Sequence, residues 1–159
     1  MAERYEGLLT GDACFAGDLD VPGVLTMVLV RSTAANADVI DIDTHAAAGL
    51  PGVTGVFTAS DLGLGTMHEI FSIPQQFAQP PLAGSRVRFV GERVVAVTAE
   101  SLATALDAAE LVDVALVPLP AVVDPRRALD AGAPLVFTEH GTNLVLEWDL
   151  DASEGGWDE

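Results

Sequence analysis

Lysine is absent from this 159-residue chain, cysteine occurs once, aromatics are few, and no apolar stretch approaches the length of a membrane span. Each absence excludes something. Seven arginines stand against 24 acidic residues, so the formal charge of −17 opposes any generic attraction to phosphate backbones, and nucleic acid is not expected as a partner. The acidic excess reads as a solvated surface that aids solubility. With Cys14 alone there is no disulfide framework, no cysteine-based zinc site and no thiolate set for an iron–sulfur cluster. The N-terminal Met-Ala-Glu-Arg-Tyr-Glu lacks the basic region and apolar core of a signal peptide, so the expected setting is the cytoplasm, without membrane contact.

Half of the residues are apolar, mostly Ala, Val and Leu, and the length suits one domain with a real core. Val24 to Val30 reads as a buried strand after the turn signal Val21-Pro22-Gly23. Asp38 to Asp43 alternates, with Ile40 and Ile42 assigned to one face and Asp41 and Asp43 to the other, wet face. Asp43 or Thr44 caps a short helix over 46–48 that stops at Gly49, and Val53 to Thr58 returns to strand. From Ala59 to Ser85 the chain is irregular, with Gly63, Gly65, Pro74, Pro80 and Pro81. A loop of that length belongs at a surface or an interface.

Val87 to Val90 and Val94 to Thr98 are expected to be two central strands meeting at the tight turn Gly91-Glu92-Arg93. Ser101 caps a helix whose apolar stripe is Leu102, Ala105, Leu106, Ala109 and Val112. Val112 to Val117 is a further strand. Asp124-Pro125 opens a second, shorter helix ending near Gly132. Leu135 to Phe137 and Leu144 to Trp148 are expected as closing strands, and residues 149–159 as an acidic, frayed tail.

Motifs for chemistry are missing. His68-Glu69 lacks the second histidine of a zinc-protease helix, since Ser72 stands where it would fall. Asp61-Leu62-Gly63-Leu64-Gly65-Thr66 lacks the third glycine of a dinucleotide fingerprint and the lysine of a phosphate-binding loop, and reads as a turn. Asp41 and Asp43 have too few further oxygen ligands for a cation. His45 and His140 read as isolated surface residues, Cys14 lies among acidic residues that disfavour its thiolate, and there is no Gly-x-Ser-x-Gly elbow.

Pro80-Pro81-Leu82-Ala83, then Val87-Arg88-Phe89-Val90-Gly91-Glu92 and Val94 to Glu100, resemble the large subunit of the molybdenum hydroxylases, the xanthine dehydrogenase, aldehyde oxidase and aerobic carbon monoxide dehydrogenase family. Upstream, Leu19 to Leu25, Arg31-Ser32, Ile42-Asp43-Thr44, Leu50-Pro51-Gly52-Val53 and Thr58 to Leu62 follow in the family's order. Downstream come Asp107 to Val112, Pro118 to Val122, Gly132 to Leu135 and Gly141-Thr142-Asn143, the last of these most similar to the carbon monoxide dehydrogenase branch. Where relatives usually show Arg-Ser-Pro-His-Ala-His-Ala, this chain has Arg31-Ser32-Thr33-Ala34-Ala35-Asn36-Ala37.

The resemblance implies an α+β fold, the N-terminal α/β-hammerhead domain, with a mixed sheet, one amphipathic helix and one or two shorter helices, over residues 1–148. It implies no catalytic, cofactor-binding or metal-binding residue within this chain, because the family's molybdopterin motifs and its general base lie in later domains. The parent complexes use molybdopterin, iron–sulfur clusters and FAD, so the expected partners are the molybdenum-, iron–sulfur- and flavin-bearing subunits or domains. The expected role is structural, with Phe71, Ile73 and Phe77 of the long loop as candidate interface residues and an interior cluster as the alternative placement. An uncovered domain face would also allow a homo-oligomer. The competing reading is a free-standing module that binds a small ligand or a regulatory protein; an enzyme in its own right would need convergent titratable groups that the sequence does not assemble.

Overall fold

The computed structural model describes residues 3–19, 21–67 and 74–147. Helix α1 (Glu3–Thr10), which no periodicity in the sequence announces, precedes strand β1 (Thr26–Arg31). Then come β2 (Ala37–Asp43), α2 (His45–Ala48), β3 (Val53–Phe57), α3 (Ala59–Leu62), β4 (Arg86–Val87), β5 (Arg93–Ala99), α4 (Leu102–Glu110) and β6 (Asp113–Pro118). Short 3-10 turns at Gln75–Phe77, Pro125–Arg127 and Thr138–His140 punctuate the rest.

The fold is α+β, as expected. Where one mixed sheet is expected, the described strands instead form two three-stranded sheets, ordered β1-β5-β3 and β4-β2-β6, with every pairing antiparallel. The two runs expected to pair around Gly91 therefore part company. Arg86–Val87 is an edge of the second sheet and Arg93–Ala99 is the centre of the first, so the turn between them carries the chain from one sheet to the other.

The core lies between the sheets and under α4. Ala37 and Val87 from the second sheet meet Val94, Val95 and Val97 from the first, closed by Ala47 of α2 and Ala108 of α4. These side chains are small, and they permit α4 to lie close on the first sheet. The expected stripe on α4 is only partly right. Ala105 and Ala108 are buried, with Ala109 and Val112 packed beside the core, but Leu102 and Leu106 stay 57% and 48% exposed. At 100° per residue those two leucines fall on the flank of the helix, where a sheet approached through alanines cannot cover them. Ser101 caps the helix as expected, its Oγ accepting from the Thr104 amide at 3.1 Å.

Strand β2 departs from simple alternation. Its register with β6 shifts between Val39 and Asp41, and the bulge turns Ile40 outward, 64% exposed, while Val39 and Ile42 pack on the core. Asp43 rather than Thr44 serves the start of α2, its carboxylate accepting from the His45 amide at 2.9 Å. In β3, the Phe57 ring lies across the bare backbone of Gly55, where a Cβ would come within 2.5 Å of its Cζ.

The segment after β6 contains no strand among its described residues. Leu119 returns its amide to the Asn36 carbonyl at 2.8 Å, which docks the segment on the second sheet. The Asn143 side chain then takes the Val136 amide (2.9 Å) and gives its own NH2 to the Ala128 and Pro134 carbonyls, so side-chain bonds replace the ladder expected for Leu135 to Phe137. Leu144 to Glu147 is likewise not strand, and Trp148 and the 149–159 tail lie outside the described residues. The helix expected from Asp124 closes after a single 3-10 turn at Arg127, capped by the Asp124 carboxylate on the Arg126 amide at 3.0 Å. Leu129 beyond it is 63% exposed, so no apolar face is buried that would hold a longer helix.

Candidate functional site

Of the three residues proposed for an interface, Phe71 and Ile73 lie outside the described residues, and Phe77 takes the interior alternative. It is 6% exposed, edge-on to the Phe137 ring at 5.4 Å and to the His140 imidazole at 4.9 Å. His140 is thus not the isolated surface histidine the sequence implies, since its Nε2 also sits 2.8 Å from the Gln76 carbonyl. Arg88 stacks 4.5 Å above the Phe137 ring and lies 3.7 Å from Glu139. The Glu139 backbone amide, with the Arg88 guanidinium behind it, holds the Glu139 carboxyl below the usual range against a partial desolvation. This cluster fastens the C-terminal segment onto the long loop.

The other candidates stay apart. His45 is exposed, and His68 and Glu69 are outside the described residues. Cys14 is exposed, with its Sγ 3.7 Å from the Phe15 carbonyl. Asp41 lines an open groove of about 440 Å³ with Thr58, Ser60 and Asp61. There Asp61 is committed to the Thr58 hydroxyl and amide, which hold its carboxyl below the usual range. Where the sequence reads as irregular chain and a turn, residues Ala59–Leu62 form the one-turn helix α3, and Gly63 ends it in the left-handed conformation. A second open groove, of about 350 Å³, runs between Val123, Arg127 and Pro134. Among the described residues no three of His, Cys, Asp and Glu gather so as to hold a metal ion.

A densely bonded surface feature that no motif in the sequence announces is the turn that carries the chain from β4 to β5. Phe89 to Glu92 forms a turn closed by the Glu92 amide on the Phe89 carbonyl (3.2 Å), with Gly91 at φ 89° in the position where type II geometry demands positive φ. The link from β1 to β2, at Ser32, is bonded to it in both directions. Gly91 donates to the Ser32 carbonyl and Ser32 donates to the Glu92 carbonyl, each at 2.8 Å. Glu92 is 5% exposed and its carboxylate accepts the Arg88 amide; Arg31 Nη1 reaches the Gly91 carbonyl at 2.8 Å. Around this rigid frame Phe89 is 48% and Val90 64% exposed. Two bulky apolar residues directly before a turn glycine, where polar residues usually stand, were the available sequence signal.

Comparison with known proteins places this architecture. Residues 10–120 match the family model described as aldehyde oxidase and xanthine dehydrogenase, a/b hammerhead domain. The chain is 46% identical over 130 residues to the gamma subunit of the 6-hydroxypseudooxynicotine dehydrogenase complex of Paenarthrobacter nicotinovorans, covering 77% of this chain and 16% of that one. It is 35% identical over 157 residues to the carbon monoxide dehydrogenase large chain of Afipia carboxidovorans, covering 91% of this chain and 19% of the relative. The structure of CO dehydrogenase from Oligotropha carboxidovorans superposes with a TM-score of 0.74 at 38% identity, over 81% of this chain and 16% of that one. Quinoline 2-oxidoreductase from Pseudomonas putida follows with a TM-score of 0.71 at 37% identity, over 82% of this chain and 17% of that one. The chain therefore spans about one-sixth of the length of these relatives.

Proposed function

The chain belongs to the aldehyde oxidase and xanthine dehydrogenase family through its a/b hammerhead domain, and from that premise we propose that it is a non-catalytic structural and assembly domain of a molybdenum hydroxylase large subunit. The parent complex on this reading oxidises a small molecule in the cytoplasm with molybdopterin, iron–sulfur clusters and FAD. No described helix is long and apolar enough to cross a membrane. The residues present do not fit those groups: one cysteine cannot ligate an iron–sulfur cluster, and the described His, Cys, Asp and Glu side chains do not converge. Cofactor chemistry is accordingly assigned to the partner chains or domains, and no step of it to a residue here.

The observation that carries the reading is the distribution of apolar size. The largest fully buried side chains are only Val87, Val94, Val95 and Val97. Leu102, Leu106, Met27, Phe89 and Leu129 meanwhile stand between 48% and 63% exposed. Phe77, Leu82 and Phe137 are the bulkier buried residues, at 5–8% exposure; apolar exposure is ordinary, but this many half-exposed bulky side chains around a core centred on valine and alanine fit a domain that other polypeptide covers. The test is to recover the tagged chain from its source, identify bound chains by mass spectrometry and assay molybdenum and iron. Stoichiometric molybdenum-, flavin- and iron–sulfur-bearing chains are expected; recovery alone and metal-free overturns the assembly role and favours a ligand-binding module.

A further inference from the structure

Arg88 is a largely buried cation whose inner edge meets no anion. Its guanidinium lies 4.5 Å over the Phe137 ring, and its side chain is only 19% exposed. Nε is buried without a hydrogen-bond partner, the one side-chain nitrogen or oxygen so placed among the described residues. A buried charge is costly unless it is paired and bonded, and arginine presents Nε and Nη2 along one edge as a fork for two oxygens. Glu139 does not fill that fork. Its Oε1 stands 3.7 Å from Nη2, well beyond a charge-assisted bond of about 2.8 Å, and Nε receives nothing from it. The Glu139 carboxyl is committed instead to its own backbone amide and, at 3.4 Å, to the Thr138 hydroxyl. A cavity of about 10 Å³ adjoins Arg88, walled also by Asn36, Pro120, Pro134, Leu135 and Val136. That volume takes one oxygen-sized atom.

We propose that the Nε–Nη2 edge of Arg88 is a binding site for a small free carboxylate, one oxygen entering the cavity against Nε and the other taking Nη2 in place of Glu139. Size and shape set the class of ligand. The cavity admits a single oxygen rather than a ring or a tetrahedral group, and two parallel N–H bonds match a planar carboxylate. Stacking on Phe137 fixes the plane of the guanidinium beforehand, which spares an ordering cost on binding. Glu139, with its side chain 52% exposed, turns out into water, so a loose internal ion pair is exchanged for two direct bonds.

The test follows the arginine Nε–H resonances of the full chain by heteronuclear NMR during titration with sodium formate, with sodium chloride at equal ionic strength as the parallel arm. The Arg88 signal, assigned by its loss in Arg88→Lys, is expected to shift saturably with millimolar affinity. The signals of Arg126 and Arg127, which are 89% and 77% exposed, are expected to drift without saturating. Glu139→Gln removes the competing carboxylate and is expected to tighten formate binding about twofold to fivefold. That side chain is exposed, so this arm stands even where Arg88→Lys does not fold. An Arg88 signal that formate leaves in place, that chloride moves equally, or that moves only as the other arginines do overturns the site. A free chain whose Arg88 Nε–H already carries an ion-pair shift, abolished by Glu139→Gln, shows that Glu139 itself fills the edge and overturns it as well.

Discussion

The two sheets have the same strand number and the same antiparallel pairing, yet their central strands live in different solvents. In β5, Val94, Val95, Ala96, Val97 and Ala99 are all buried, because α4 covers one face and the loop and second sheet close on the other. In β2 only Ala37 is buried, and Ile40, Asp41 and Asp43 face water. A strand covered on both faces reads as a continuous apolar run and one covered on a single face as alternation, which is how Val94 to Val97 and Asp38 to Asp43 differ on the page. The strands differ in charge as well: those of the second sheet carry Asp38, Asp41, Asp43 and Asp113, and those of the first carry no acidic residue.

Matched substitutions in the two central strands sharpen that contrast most. Val97→Ala removes two methyl-sized groups from a fully buried site and is expected to cost about 2–3 kcal/mol with the cavity it leaves. Ile40→Ala removes more atoms from a site 64% exposed and is expected to stay within about 0.5 kcal/mol. Urea unfolding of both variants measures this directly, and similar losses would break the distinction between the strands.

The junction comes next. Glu92→Ala strips the buried carboxylate from the Arg88 amide and is expected to cost about 2 kcal/mol, with Glu92→Gln recovering most of it because an amide oxygen still accepts. Gly91→Ala is expected to cost about 1 kcal/mol. Its Cβ meets nothing within 4 Å, so the whole effect comes from φ of 89° rather than from packing. Thermal melting of the three variants ranks them, and a Gly91→Ala chain as stable as wild type would show that the turn is not held as described.

Much of this arrangement was legible in the residues. The strands from Val24, Asp38, Val53, Val94 and Val112, and the Ser101-capped helix, all appear within a few residues of their expected bounds. What failed shares a cause: local pattern cannot reveal which element a segment meets. Phe89 and Val90 continue an apolar run from Val87, so the sequence extends the strand, whereas the chain there leaves one sheet for another. Leu102 and Leu106 match a helical stripe, but close packing through Ala105 and Ala108 decides which flank is covered. Val136 has a strand former's side chain, yet its amide goes to Asn143 seven residues on. The long loop was legible as irregular chain but not in its contacts, because the burial of Phe77 depends on Phe137 and His140, about sixty residues away in sequence.

The smallest expected effect lies on the wet face of the second sheet and has the opposite sign. Asp43 and Asp113 are partners in the register of β2 and β6, both exposed, so two carboxylates stand across from each other at the end of the sheet. Asp43 cannot be exchanged cleanly, since its carboxylate accepts the His45 amide at the start of α2. Asp113 has no such duty among the described hydrogen bonds. Asp113→Thr removes one of the two like charges and places a β-branched residue in the strand, so it is expected to stabilise by about 0.2–1 kcal/mol at low salt. Screening separates the two contributions. If repulsion dominates, the gain fades as salt is raised to about 1 M, where the Debye length falls to about 3 Å; a gain that persists is strand propensity alone. A loss of stability on this substitution would mean that Asp113 is more than a solvated side chain, and that the second sheet is not the passive acidic face that its contrast with the first suggests.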